Sequence, residues 1–152
     1  MSKYVFLSVL ILNFVLLGFA KEEDLLKIDT SLIPDNLPRG KEGKIVLKLD
    51  LKKGITISPQ PFFVIEFNPC EELVFSKNSF SESDLKIETI KENGEEYLNL
   101  KRPVEIPFTV RLKAKRGNHR LEGRIKYFAC SKEEGWCLKS SAEFSASFII
   151  KK

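Results

Sequence analysis

One histidine and three cysteines among 152 residues leave little room for most site chemistries. The lone imidazole, His119, has no cysteine or carboxylate at ligand spacing, so no metal centre is expected and His119 reads as an exposed turn residue. A Cys-His hydrolase is excluded by reach. His119 and Cys130 stand at opposite ends of a predicted strand, roughly 30 Å apart at ~3.3 Å per residue. There is no Cys-x-x-Cys, no strand-helix-strand pattern around the cysteines, and no glycine-rich phosphate loop, which removes thioredoxin-type and nucleotide-dependent catalysis. Like-charge runs are short, no basic cluster is interleaved with aromatics, and the formal charge is only +4, so nucleic acid is not an expected partner. No cofactor is called for. Paired carboxylates such as Glu71-Glu72 and Glu95-Glu96 read as solvated surface.

The longest apolar run, Val5 to Leu17, follows Lys3 and ends in Gly18-Phe19-Ala20 before the charged Lys21-Glu22-Glu23-Asp24. It is short for a span of ~20 residues and is interrupted by Asn13. Small residues stand where a signal peptidase would inspect the chain, so residues 1–20 are expected to be a secretory signal cut after Ala20. Retention as an N-terminal anchor is the alternative. No cysteine follows the run, which argues against a lipoprotein. Cleavage would remove Lys3, lower the charge from +4 to +3, and leave a chain of single-domain size without a stable membrane span.

Residues 21–43 are charged and carry Pro34 and Pro38, and read as an N-terminal leader. The domain proper is expected over 44–152. Ile45, Leu47, Leu49 and Leu51 alternate with polar residues at the period of a half-buried strand. Short apolar runs follow at Ile55–Ser58, Phe62–Phe67 and Leu73–Phe75, punctuated by Pro59, Pro61 and Pro69. Ser81 to Ile90 alternates loosely, and Asn93-Gly94 marks a tight hairpin returning through Tyr97. Ile106, Phe108, Val110 and Leu112 alternate again. A turn at Arg116–His119 leads into Leu121–Cys130, and the last strand sets Ala142, Phe144, Ala146, Phe148 and Ile150 on one face. Helical spacing is sustained nowhere after residue 20. Many short strands with regular turn signals predict an all-β immunoglobulin-like β-sandwich, with most of the chain's twelve phenylalanines lying in these runs to fill it.

Cys130 and Cys137 flank a charged, glycine-containing turn between two strand-patterned runs, so a hairpin would bring them together within disulfide range. Outside the cytoplasm such a bond persists. Closing so short a loop stabilises by only about 2.5 kcal/mol in the chain-entropy model, and reduction should leave the fold intact. The residues alone leave two roles open, a structural staple or a pair that opens and closes. Trp136 either shields the sulfur and meets a partner or simply packs on the hairpin. Cys70, beside Pro69, reads as a partly buried free thiol without catalytic role.

The segment Tyr127, Ala129, Cys130, Gly135, Cys137, in the order Tyr-x-Ala-Cys, short polar turn, Gly-x-Cys, resembles the N-terminal periplasmic domain of the thiol:disulfide interchange protein DsbD. The likeness extends loosely over Lys44–Ile150, with Gly54 at a strand start and Pro107 within a strand. It implies an immunoglobulin-fold electron carrier of the periplasm, a component of protein-disulfide reduction. Its partners would be a membrane-embedded thiol reductant and periplasmic thioredoxin-like proteins. By position Cys130 and Cys137 are then the exchanging pair, Cys137 forming the intermolecular bond and Cys130 resolving it. Leu138-Lys139 follows Cys137 where that family often has proline. The family's aromatic cap has no direct counterpart, so Tyr97, in the loop from Glu92 to Tyr97, and Trp136 are the candidate cap or docking residues. The sequence carries no transmembrane bundle or thioredoxin-like domain after Lys152, which implies a reductant supplied by another protein.

Overall fold

The computed structural model describes residues 25–151, and within them the chain is all-β, an immunoglobulin-like sandwich of two sheets. The expected signal peptide lies outside the described residues. One sheet orders β1 (Leu26–Ile33), β3 (Glu42–Leu51), β10 (Val104–Val110) and β6 (Leu73–Phe75), all antiparallel. The other orders β2 (Asn36–Pro38), β12 (Cys137–Lys151), β11 (Gly117–Ser131), β5 (Val64–Phe67) and β7 (Ser79–Ser81), with β4 (Ile55–Ser58) on the upper part of β11. A separate ribbon pairs β8 (Thr89–Glu92) with β9 (Glu95–Leu98).

Period-two alternation decides which side chains fill the gap between the sheets. Ile45, Leu47 and Leu49 of β3 are buried, as are Ile106, Phe108 and Val110 of β10. Leu121, Ile125, Tyr127 and Ala129 of β11, and beside them in the same sheet Phe144, Ala146, Phe148 and Ile150 of β12, line the same core from the other side. Gly123 interrupts that face for a steric reason. A Cβ there would stand 2.5 Å from both the Glu66 carbonyl oxygen and the Phe144 ring. Phe67 gathers the aromatic cluster, stacking on Phe75 at 4.2 Å and meeting Phe80 and Phe144 edge-on.

Three expectations need correction. The segment 21–43 is not a mere leader, because Leu26, Ile28, Thr30 and Leu32 point inward along β1 while Lys27, Asp29 and Ser31 point out. The chain then crosses to the second sheet and runs parallel to β12 as β2, burying Leu37. The domain therefore begins by Leu26. Second, Leu112 does not continue β10. The strand stops at Val110, and Leu112 is 79% exposed, resting on Gly40. Third, Ser81–Ile90 is mostly turn. The Asp84 carboxylate accepts from the Ser81 N–H and from Lys77, which bends the chain before β8 begins. Lys77 and Ser81 together pull the Asp84 carboxyl down to about 2.

Candidate functional site

The two longest strands, β11 and β12, pair from Gly117↔Ile150 to Cys130↔Cys137, so the cysteines close the ladder at its far end. Their Cα atoms are 4.1 Å apart and the sulfurs are joined. So close an approach marks a pair whose backbone groups point away from each other. The next pair outward completes the pattern: the Ser131 N–H donates to the Trp136 carbonyl at 2.8 Å. Ser131 also accepts at its carbonyl from the Gly135 N–H and at its hydroxyl from the Glu134 N–H. Gly135 has φ +69, the left-handed value this turn needs and glycine adopts freely.

Alternation sets the direction of the sulfurs. Tyr127 and Ala129 point into the core, so Cys130 lies on the opposite, solvent-facing side of the sheet, half-buried, while Cys137 is exposed. On that face Cys130 stands opposite Thr56 of β4, and Phe128 stands opposite Ser58. Phe128 meets Phe62 edge-on at 6.3 Å, and the Lys139 ammonium lies 5.3 Å from the centre of the Phe62 ring. An apolar shoulder thus borders the bond.

The β8–β9 ribbon forms the other wall. Asn93 and Gly94 both have positive φ, 52° and 79°, as a two-residue turn of this hand requires. β9 lies beside β4, and between the ribbon and the cysteine turn runs a groove of about 330 Å³. Thr56, Ser58, Glu95, Glu96, Tyr97, Lys132, Trp136 and both cysteines line it. Tyr97 also borders a second, more apolar recess of about 270 Å³, lined in part by Leu49, Leu51, Ile55, Ile90, Leu98 and Leu100.

Charge ties the ribbon to the cysteine turn. Register places Glu92 directly opposite Glu95, a repulsive pairing in a sheet. Glu92 is compensated from two sides, accepting from the Tyr97 hydroxyl at 2.5 Å and from the Lys132 ammonium at 3.4 Å. Lys132 simultaneously lies 4.6 Å from the centre of the Tyr97 ring. The Tyr97 hydroxyl and Lys132 hold the Glu92 carboxyl below its usual range, and Glu92 in turn raises the Tyr97 phenol. Lys132 is two residues from Cys130, so this contact latches the ribbon beside the disulfide.

The structure therefore brings together all four residues singled out by sequence: Cys130, Cys137, Trp136 and Tyr97. Trp136 packs partly against the core, and its indole N–H donates to Glu134. It also lines the groove. Sequence reasoning missed Thr56 and Ser58, and did not foresee the contact between Glu92 and Lys132. The Asn-Gly turn located the ribbon, and only the family resemblance suggested its Glu92–Tyr97 loop as a cap beside the disulfide. Glu95 and Glu96, read as plain surface, turn out to line the groove beside the disulfide.

Cys70 is elsewhere. The Asn68 N–H donates to the Glu122 carbonyl, eight residues along β11 from Cys130, roughly 25 Å at ~3.3 Å per residue. Burial pushes the Cys70 thiol up, and the nearby Glu72 carboxylate, which accepts from it at 3.6 Å, adds to the effect. A thiol held protonated is a poor nucleophile. His119 belongs to β11 and not to a turn. It stacks on Phe148 at 5.5 Å, with Nδ1 3.5 Å from Glu72 and Nε2 2.6 Å from the Lys115 carbonyl. Among the described residues no three of His, Cys, Asp and Glu converge as metal ligands, and no helix is long and apolar enough to cross a membrane.

No family model and no curated protein matches the chain. Among solved structures it is similar to the N-terminal periplasmic domain of ScsB from Proteus mirabilis. That match has 12% identity, a TM-score of 0.46, and covers 85% of this chain and 48% of that one. A cohesin module from a Clostridium perfringens family 33 glycoside hydrolase matches at 10% identity and TM-score 0.42, over 82% and 94% of the two chains. A conjugative transposon lipoprotein from Bacteroides eggerthii matches at 12% and 0.40, over 82% and 96%. These are distant likenesses of β architecture, and the reading of the site rests on its own geometry.

Proposed function

We propose that the protein is an extracytoplasmic thiol-disulfide exchange module, working in the periplasm through Cys130 and Cys137. The observation that carries this reading is the position of the bond: at the tip of a hairpin, on the solvent face, with Cys137 exposed beside an open groove. Exchange needs an accessible sulfur and an approach line for an attacking thiolate. Cys137 offers both. A thiolate of the donor attacks Cys137 Sγ, the S–S bond breaks, and Cys130 leaves as a thiolate that takes a proton from water. A second donor thiol then releases Cys137, so two electrons pass from two thiols to the pair. In the reverse half-cycle Cys137 attacks the disulfide of an acceptor and Cys130 resolves the mixed bond. The donor in this reading is a membrane-embedded thiol reductant and the acceptors are periplasmic thioredoxin-like proteins.

The hairpin also supports a second role, a fixed staple in a non-catalytic binding module, since the bond joins residues that the Ser131–Trp136 hydrogen bond already holds together. A redox titration in thiol buffers separates the two. The exchange reading predicts a Cys130–Cys137 potential above about −300 mV, and a value well below that belongs to a structural bond.

A further inference from the structure

The groove beside the disulfide is charged on one wall. Glu95 and Glu96 line it from β9, and the only cation lining it among the described residues, Lys132, is committed to Glu92 and to the Tyr97 ring. Other charges lie around it. Glu133 and Glu134 belong to the cysteine turn, with Glu134 held by Trp136. Lys91 faces Glu96 in register but does not border the groove, and Lys139 lies over the Phe62 ring. In the lining itself two carboxylates stand against one ammonium, so an attacking thiolate meets more negative than positive charge there. Repulsion by fixed charges disfavours approach of anions and favours cations, and it weakens with salt.

We propose that Glu95 and Glu96 make the Cys130–Cys137 bond selective for cationic thiols, small or as cysteines flanked by basic residues on a partner protein, and discriminate against anionic small thiols. This rests on the exchange reading and adds the charge class of the reductant. The step itself is unchanged: the thiol's sulfur bonds to Cys137, the Cys130–Cys137 bond breaks, and a second equivalent completes the two-electron reduction.

The test measures reduction of the purified protein by cysteamine, 2-mercaptoethanol and 2-mercaptoethanesulfonate, with rates expressed per thiolate. Each is divided by the rate of the same thiol on the neutral 2-hydroxyethyl disulfide. At about 20 mM ionic strength the normalised cysteamine rate should exceed the mercaptoethanesulfonate rate by roughly fivefold or more. The preference should shrink toward one at about 1 M salt, where the screening length is ~3 Å. The Glu95→Gln, Glu96→Gln double variant should lose most of it at low salt. A normalised ratio of one or less, or a preference that the double variant keeps, overturns the proposal and leaves the exchange reading standing. Failure of every thiol to reduce the folded protein, read by alkylation of Cys130 and Cys137, overturns both.

Discussion

Reducing the Cys130–Cys137 bond should weaken the sandwich measurably without unfolding it. Only the residues between positions 130 and 137 are enclosed by the bond, so its chain-entropy contribution is about 2.5 kcal/mol. The core does not depend on it. Ile45, Leu47, Ile57, Ile65, Ile106, Leu121 and Ile125 are fully buried between the sheets, and β11 and β12 remain paired for thirteen residues below the cysteines. With a urea slope of roughly 1.5 kcal/mol per molar, the midpoint should fall by about 1.7 M on reduction, with the slope nearly unchanged. Linkage sets the matching redox figure: the folded state should hold the bond about 50 mV more reducing than the unfolded chain does, at ~30 mV per 1.4 kcal/mol. Urea titrations of the oxidised and reduced protein, followed by Trp136 fluorescence and far-ultraviolet dichroism, measure both quantities. Loss of a cooperative transition on reduction, or a cost above about 5 kcal/mol, would refute the reasoning and make the bond a staple of the fold.

Gly123→Ala should destabilise the protein by roughly 1–3 kcal/mol, since its methyl would collide with the Glu66 carbonyl and the Phe144 ring, and a thermal melt that is unchanged would contradict the packing described. The Glu92 carboxyl is depressed by Tyr97 and Lys132, so its contribution to the latch is present above the unfolded carboxylate value and is lost as pH falls through the folded one. A carbon-13 carboxyl titration should show Glu92 below the ordinary glutamate range, and Lys132→Met should bring it upward. Cys70→Ser should leave the exchange rate within about twofold, because a thiol roughly 25 Å away cannot reach the pair at ~3.3 Å per residue; a larger fall would place Cys70 in the chemistry.

Most of the sandwich was legible because its strands are half-buried and their side chains alternate with period two, as in β3, β10 and β12. β1 carries the same alternation, yet the charges between its apolar residues and the two prolines beyond it gave it the look of a leader. What rescues it is pairing with β3, a long-range fact no local pattern contains. The cysteine hairpin was legible for the opposite reason: both partners, the turn and its glycine lie within one short segment. The groove was not. Its second wall comes from a ribbon some forty residues away in sequence, as the Lys132 to Glu92 contact shows; the resemblance alone suggested that loop as a cap, and only the folded chain shows Glu95 and Glu96 lining the groove. Leu112 was misread because hydrophobic period continues past the last hydrogen-bonded residue of β10.

The central claim is that Cys137 trades its bond to Cys130 for a bond to another protein. Cys130→Ala protein, reduced and then mixed with an oxidised thioredoxin-like periplasmic protein, should form a one-to-one adduct through Cys137, identified by peptide mass spectrometry and released by dithiothreitol. No adduct under these conditions, or an adduct that persists in the Cys130→Ala, Cys137→Ala double variant through Cys70, would contradict the account.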